Sequence, residues 1–173
     1  MMTKEERYET LCKQVESLIA GETNETGMLA NTAAAMKEMF PQEYFWVGFY
    51  LVRELDGQGA KESGKQGSKE SRKLALGPFQ GSVACYSIPF GKGVCGTAWA
   101  ERRTLVVPDV EAFPGHIACS SLSRSEIVVP VFGADGNVKA VIDIDSTEVG
   151  TFDDVDALYL EKIAKILAKE LRY

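Results

Sequence analysis

A chain of 173 residues is long enough to form one domain with its own hydrophobic core. Its 19 Lys and Arg residues against 25 Asp and Glu residues give a formal net charge of −6, which argues against a nucleic-acid-binding protein because phosphate neutralisation needs concentrated positive charge. No apolar run approaches the roughly 18–20 residues of a membrane span. The charged N-terminus also lacks the apolar stretch of a signal peptide, so a cytoplasmic protein is expected.

The four cysteines are Cys12, Cys85, Cys95 and Cys119. In a reducing compartment they are either small buried residues or redox-active thiols, because structural disulfides are rare there. They form no CxxC pair and accompany a single histidine, so their spacing argues against a zinc site. We therefore expect no metal site.

The first third of the chain predicts two helices followed by a buried strand. Apolar residues at helical spacing indicate a helix over residues 3–20, with Cys12 on its core face. Asn24 is the expected N-cap of a second helix that ends near residue 40. The aromatic run at residues 44–52 predicts a central strand with Trp46 and Tyr50 on one face.

Residues 53–73 differ sharply from the rest of the chain. They contain ten charged residues, four glycines and no aromatic residue. A segment of this composition buries too little apolar surface to offset the entropy of ordering. It is interpreted as a flexible insertion in a β-hairpin.

The remaining elements predict an α+β domain, with helices at both ends of a mostly antiparallel sheet. A turn at residues 77–81 is expected between two strands, with Cys85 on the second of them. A helix follows that carries Cys95 near its start, and Asp153 begins the terminal helix. The strands are expected at residues 74–76, 83–88, 105–107, 126–132 and 138–145, and the two helices at residues 94–102 and from 153.

The stretch VKAVIDID is the strongest chemical signal. Strand alternation places Val141, Asp143 and Asp145 on one face, with successive residues about 6.6 Å apart. A solvated sheet face would explain two such carboxylates without any function. A buried pair would instead raise one carboxyl pKa and so create a proton donor.

Cys119 lies in a long loop that ends at Glu126, so its sulfur can return to the face of the two aspartates. Cys85 and Cys95 are both candidates for a second thiol. His116 is the single histidine, and its position three residues from Cys119 in a loop is weak geometry for a Cys–His pair. Trp46 is either a core residue or one wall of a small apolar subsite.

Five motifs in this chain resemble the free methionine-(R)-sulfoxide reductases, which are built on a GAF domain. They are WVGFY, LGPFQG, GKGVCGTA, PGHIACSSLSRSEIVVPV and VIDIDS. The similarity spans essentially the whole chain except the insertion at residues 53–73. The resemblance implies a single GAF domain over residues 1–173: a six-stranded antiparallel sheet with the terminal helices on one face and a pocket on the other. It also implies a homodimer.

The resemblance further implies a role for individual residues. It makes Cys119 the catalytic cysteine, Cys85 the resolving cysteine and Cys95 the third cysteine of the family. The pocket acids fall on Glu126, Asp143 and Asp145, and the wall around the substrate methyl group falls on Trp46. Asp143 would hold the substrate ammonium, and backbone N–H groups around Ile117, Ala118 and Cys119 its carboxylate.

The implied reaction is reduction of free methionine-(R)-sulfoxide, with Asp145 or Glu126 as proton donor and a thioredoxin-fold protein as reductant. It needs no metal and no organic cofactor. The alternatives are a GAF sensor that binds a small ligand without catalysis and a thiol-based peroxide sensor that uses the same cysteines.

Overall fold

The computed structural model describes residues 2–55 and 71–171. The elements in chain order are α1 (Lys4–Ile19), α2 (Glu25–Met39), β1 (Trp46–Glu54), β2 (Arg72–Gln80), β3 (Ser87–Pro89), α3 (Gly93–Glu101), β4 (Leu105–Val107), β5 (Ser125–Phe132), β6 (Val138–Ser146) and α4 (Asp154–Glu170). The six strands form one antiparallel sheet in the order β3-β2-β1-β6-β5-β4, which confirms the predicted α+β class. Among the helices in the described ranges, none has the length and apolar character of a membrane span.

The helix starts follow the capping residues that the sequence contains. Thr3 and Asp153 each form a capping box at the start of α1 and α4, and the Asn24 side chain accepts a hydrogen bond from Gly27 N–H at the start of α2. Leu158 of α4 is exposed, because the buried stripe of this helix follows Tyr159, Ile163 and their helical neighbours.

The sheet separates two hydrophobic clusters. The larger cluster lies under α1, α2 and α4 and includes Val47, Ile142 and Ile144. The smaller cluster lies on the opposite face and includes Trp46, Tyr50, Cys95 and Val141, which share it with α3. The helices at both chain ends therefore cover one face, and the other face is available for a pocket.

The β1–β2 hairpin differs from the prediction. Residues 77–80 belong to β2 rather than to a turn, and Pro78 is accommodated because the register shifts opposite the segment between Gly48 and Tyr50. The next strand is only Ser87–Pro89, so Cys85 lies in a loop and not on a strand. A loop gives the Cys85 sulfur access to a second loop, which a strand position would not.

Both ends of the predicted insertion belong to the β1–β2 ladder. Arg53 pairs with Lys73 and Glu54 with Arg72 across the β1–β2 ladder. Residues 53–54 and 72–73 are therefore strand residues, and residues 56–70 of the predicted flexible insertion lie outside the described residues.

A buried polar network joins α1, α4 and the turn before β1. Tyr8 Oη donates to Asp156 Oδ1 at 2.6 Å and lies 2.5 Å from Tyr44 Oη, so the Tyr44 hydroxyl donates to Tyr8. Lys4 Nζ lies 2.6 Å from Asp156 Oδ2. Burial raises the pKa of both tyrosines, which keeps them protonated as donors. The network fixes the two terminal helices against each other and against the sheet.

Tyr8→Phe is expected to lower the free energy of unfolding by about 1.5–3 kcal/mol, because Asp156 Oδ1 loses its donor and the Tyr44 hydroxyl loses its acceptor inside the protein, although Lys4 still pairs with Asp156 Oδ2. Tyr159→Phe is the matched control: its hydroxyl makes a 3.4 Å contact with Glu9 at the surface, and a change within about 0.5 kcal/mol is expected. Urea unfolding followed by circular dichroism measures both. Equal losses in the two variants would contradict the proposed importance of the network.

Candidate active site

A pocket opens on the sheet face opposite the terminal helices. The space between its walls, including the open mouth, is about 490 Å³. Its floor comes from β1, β5 and β6, one wall from the start of α3, and its rim from the loops before β3 and β5. It is lined by Trp46, Tyr50, Val83, Ala84, Ile88, Gly93, Val94, Cys95, His116, Ile117, Cys119, Ser120, Ser123, Glu126, Asp143 and Asp145.

A disulfide joins the two loops at the rim. It links Cys85 to Cys119, which are 34 residues apart in sequence and have Cα atoms 5.4 Å apart. Cys119 lines the pocket, and both cysteines are half-buried. Tyr50 Oη donates to the Cys85 carbonyl at 3.1 Å, which ties the Cys85 loop to the sheet.

Three carboxylates meet at the pocket floor. Glu126 on β5 pairs directly with Asp145 on β6, and Asp143 follows on the same face of β6. Glu126 and Asp143 are each only 6% exposed. The alternative of a solvated sheet face is therefore wrong, because α3 and the rim loops cover these residues. Asp143 Oδ1 is buried and has no hydrogen-bond partner within the described residues.

Burial and mutual repulsion disfavour the ionised forms of these acids. Desolvation raises the pKa of Glu126 well above its ordinary value, and the nearby Asp145 charge raises it further. Desolvation followed by repulsion from Glu126 does the same for Asp143. Burial raises the pKa of Asp145 to about 6, against the opposing effects of the Ser123 hydrogen bond and of His116. The pocket thus favours the protonated forms of its carboxyl groups more than water does.

Cys95 lies at the base of the pocket, in the first turn of α3. It is outside the disulfide, is 3% exposed, and has its Sγ 4.0 Å from Glu126 Oε1. Desolvation and repulsion from Asp143 raise its pKa, so it is held as a thiol.

Trp46 forms the apolar wall and is held from two sides. Its Nε1 donates to the Ser82 carbonyl at 3.0 Å, and its ring stacks on Phe79 at 5.2 Å. A Cβ atom at Gly48 or Gly81 would lie 2.7 or 2.6 Å from the indole ring. These close approaches allow only glycine at both positions, which explains two glycines beside the tryptophan.

The loop before Cys119 limits how its amides can act. Cys119 N–H donates to the Ile117 carbonyl at 3.1 Å, so this amide is already used. Ile117 lines the rim and is 36% exposed, and Ala118 lies between it and Cys119. Of the three amides predicted to bind the substrate carboxylate, the N–H groups of Ile117 and Ala118 are therefore the two candidates that are left.

Three further side chains surround the acids. His116 Nε2 lies 3.5 Å from Glu126 Oε2, so the histidine faces the acids. Ser123 donates to Asp145, and Tyr50 holds Cys85. The alternation of β1 placed Tyr50 on the pocket face. No sequence pattern indicates Ser123, because its position depends on the path of a loop.

The comparisons with known proteins agree with this geometry. The GAF domain family matches residues 22–171. GAF domain-containing protein A from Dictyostelium discoideum is 50% identical over 165 residues, covering 95% of this chain and 92% of that protein. Free methionine-R-sulfoxide reductase from Escherichia coli (strain K12) is 41% identical over 170 residues, covering 98% of this chain and 92% of that protein.

A solved structure gives the same result. The free methionine-R-sulfoxide reductase of Neisseria meningitidis, in complex with its substrate, superposes with a TM-score of 0.84 and 49% identity. The match covers 98% of this chain and 91% of that chain. The chain therefore belongs to the GAF-domain family of free methionine-(R)-sulfoxide reductases.

Proposed function

We propose that this protein reduces free methionine-(R)-sulfoxide to methionine and that Cys119 is the nucleophile. The observation that carries the proposal is the Cys85–Cys119 disulfide at the rim of a pocket whose floor holds three carboxyl groups. A sulfoxide reductase needs a thiol to receive the oxygen, a second thiol to resolve the product and an acid beside them.

In the first step the Cys119 thiolate attacks the sulfoxide sulfur while a carboxyl group protonates the sulfoxide oxygen. The substrate sulfur gains two electrons and leaves as the thioether of methionine. Cys119 loses the same two electrons and becomes a sulfenic acid. Glu126 is assigned as the proton donor, because its pKa lies well above its usual range, whereas a pKa of about 6 leaves only about a tenth of Asp145 protonated at pH 7.

In the second step the Cys85 thiol condenses with the sulfenic acid. A disulfide forms and one water molecule leaves, so the electrons for the reaction come from the two thiols. A dithiol protein with a thioredoxin fold then reduces the disulfide by thiol–disulfide exchange. Val83 and Tyr86, which flank Cys85, are 87% and 88% exposed, and this exposure supports access by a protein reductant.

The acidic floor suits a substrate that is a free amino acid. Asp143 Oδ1 has no partner among the described residues, and the ammonium of methionine sulfoxide supplies a charged donor for it. A methionine inside a protein has no such ammonium. Trp46 packs against the methyl group, and the N–H groups of Ile117 and Ala118 bind the carboxylate. The homodimer that the family resemblance implies remains a prediction, which sedimentation can test.

The deciding experiment is a stoichiometric reaction without recycling reductant. Reduced protein is mixed separately with free methionine-(R)-sulfoxide, with the S epimer and with a peptide sulfoxide, and methionine and new disulfides are measured. One methionine per chain from the free R form alone, with a Cys85–Cys119 bond, is expected. No methionine from any substrate would contradict the reductase and would favour a ligand-binding GAF sensor. Peroxide oxidation without sulfoxide reduction would favour a peroxide sensor.

Asp143→Asn is expected to raise KM for the free substrate by about 100- to 1,000-fold, because it leaves the substrate ammonium in a buried site without its counter-charge. The matched comparison uses 4-(methylsulfinyl)butanoate, which is the substrate without its amino group. Wild-type protein should bind this analogue much more weakly than the amino acid, and Asp143→Asn should discriminate little between the two. Undiminished discrimination in the variant would contradict the assignment of Asp143.

A further inference from the structure

The floor of the pocket brings together three donor atoms that belong to distant parts of the sequence. The acid–thiol cluster consists of Cys95 on α3, Glu126 on β5 and Asp143 on β6. One ligand atom from each, the Cys95 sulfur and two carboxylate oxygens, lies within 4.8 Å of the other two. All three side chains are buried, at 3%, 6% and 6% exposure, and all three line the pocket.

A second observation shows that the cluster is incomplete as a protein-only arrangement. Asp143 Oδ1 is buried and has no hydrogen-bond partner within the described residues. Cys95 Sγ reaches Glu126 only at the long distance of 4.0 Å. A cation between these atoms would satisfy the unpartnered oxygen and would relieve the repulsion that disfavours ionisation of all three groups.

The donor types select the cation. A thiolate and two carboxylates combine a soft ligand with hard ones, which suits Zn²⁺ better than Mg²⁺ or Ca²⁺. Zinc bonds of about 2.0–2.3 Å place tetrahedral ligands about 3.5 Å apart, so shifts of about 1 Å would close the cluster. His116 Nε2, 3.5 Å from Glu126 Oε2, lies at the edge as a further donor.

We propose that the acid–thiol cluster binds one Zn²⁺ ion and that the ion occupies the place of the substrate ammonium. Three protein ligands leave a fourth position open towards the pocket, as in zinc sites that exchange ligands. Bound zinc prevents the substrate ammonium from binding, so zinc competes with methionine sulfoxide for the pocket and inhibits the reductase. The exclusion rests on the proposed function, but zinc binding itself does not.

Zinc titration of the oxidised protein tests the binding directly. The Cys85–Cys119 disulfide removes both rim sulfurs as ligands, which leaves Cys95 and Cys12 as the thiols. Calorimetry should give one Zn²⁺ per chain. Binding should release protons in proportion to the ionisation heat of the buffer and should strengthen as pH rises, because the ligands must lose protons.

Two variants and one control locate the ion. Cys95→Ser and Asp143→Asn should each weaken zinc binding at least tenfold, and circular dichroism checks that both are folded. Cys12→Ser, on α1 far from the pocket, should bind zinc like the wild type. Zinc binding that is absent in the wild type, unchanged in both pocket variants, or lost in Cys12→Ser would overturn the proposal.

Competition then tests the placement. Free L-methionine should weaken zinc binding more than glycine at the same concentration, because both amino acids chelate zinc in solution but only methionine has a side chain that can pack against Trp46. Equal effects of the two amino acids would overturn the proposed exclusion. Failure of the reductase activity would leave the titration unaffected, so the two proposals are tested separately.

Discussion

Cys119→Ser is expected to produce no methionine from free methionine-(R)-sulfoxide, either in a single turnover or with a recycling reductant. A serine hydroxyl is not ionised at neutral pH and cannot form the sulfenic acid, so the first bond-forming step is lost. Methionine is measured by amino-acid analysis after the reduced protein is mixed with substrate. Methionine formation near the wild-type level would contradict the assignment of Cys119.

Cys85→Ser separates the first chemical step from formation of the disulfide. It should still release one methionine per chain, because Cys119 can accept the oxygen without a resolving thiol. Recycling by a dithiol protein should fail or slow strongly, since no intramolecular disulfide forms. Cys12→Ser should match the wild type in both assays, because Cys12 packs against the core under the terminal helices and lies far from the pocket.

Glu126→Gln is expected to lower the rate of methionine formation by about 10²–10⁴-fold, the usual contribution of a positioned general acid. In the wild type, the rate at saturating substrate should fall at high pH, because the carboxyl group loses the proton that it donates. The glutamine variant should show no such descending limb. Its rate should rise with thiolate formation and then level off.

Asp145→Asn separates the two candidate acids. The Asp145 charge raises the pKa of Glu126, so its removal should move the descending limb to lower pH without abolishing it. A descending limb that persists in Glu126→Gln and disappears in Asp145→Asn would assign the proton to Asp145 instead. Asp154→Asn, at an exposed position on α4, is the control and should leave the profile unchanged.

The combination of a thiol nucleophile with three acids has a physical rationale. Anions close to a cysteine disfavour its thiolate, so an acidic pocket is unfavourable for thiol chemistry in general. Here burial and mutual repulsion disfavour the ionised forms of Glu126 and Asp143 in the free pocket, which weakens that repulsion and favours a protonated Glu126 that can serve the sulfoxide oxygen. A substrate ammonium beside Asp143 then compensates any remaining charge.

Sequence patterns gave correct predictions where the interaction that causes the structure joins residues close together in the chain. Asn24 and Asp153 start their helices because their side chains cap backbone N–H groups a few residues away. Strand alternation correctly put Asp143 and Asp145 on the face of Val141. Val138 departs from the alternation of β6 and lies in the same pocket-side cluster as Val141, because the β5–β6 register shifts between Val131 and Phe132. A bulge of this kind depends on the partner strand and leaves no local pattern.

The domain class, the capped helices, the carboxylate pair on β6 and the family motifs that imply the roles of Cys85 and Cys119 could all be read from the amino-acid order. The loop position of Cys85, the orientation of Ser123 and His116 towards the acids, and the meeting of Cys95 with Glu126 and Asp143 became visible only in the folded chain. The difference lies in the range of the interactions. Caps and alternation act over a few residues, whereas the pocket is assembled from α3, β5, β6 and two loops whose positions depend on how the whole sheet packs.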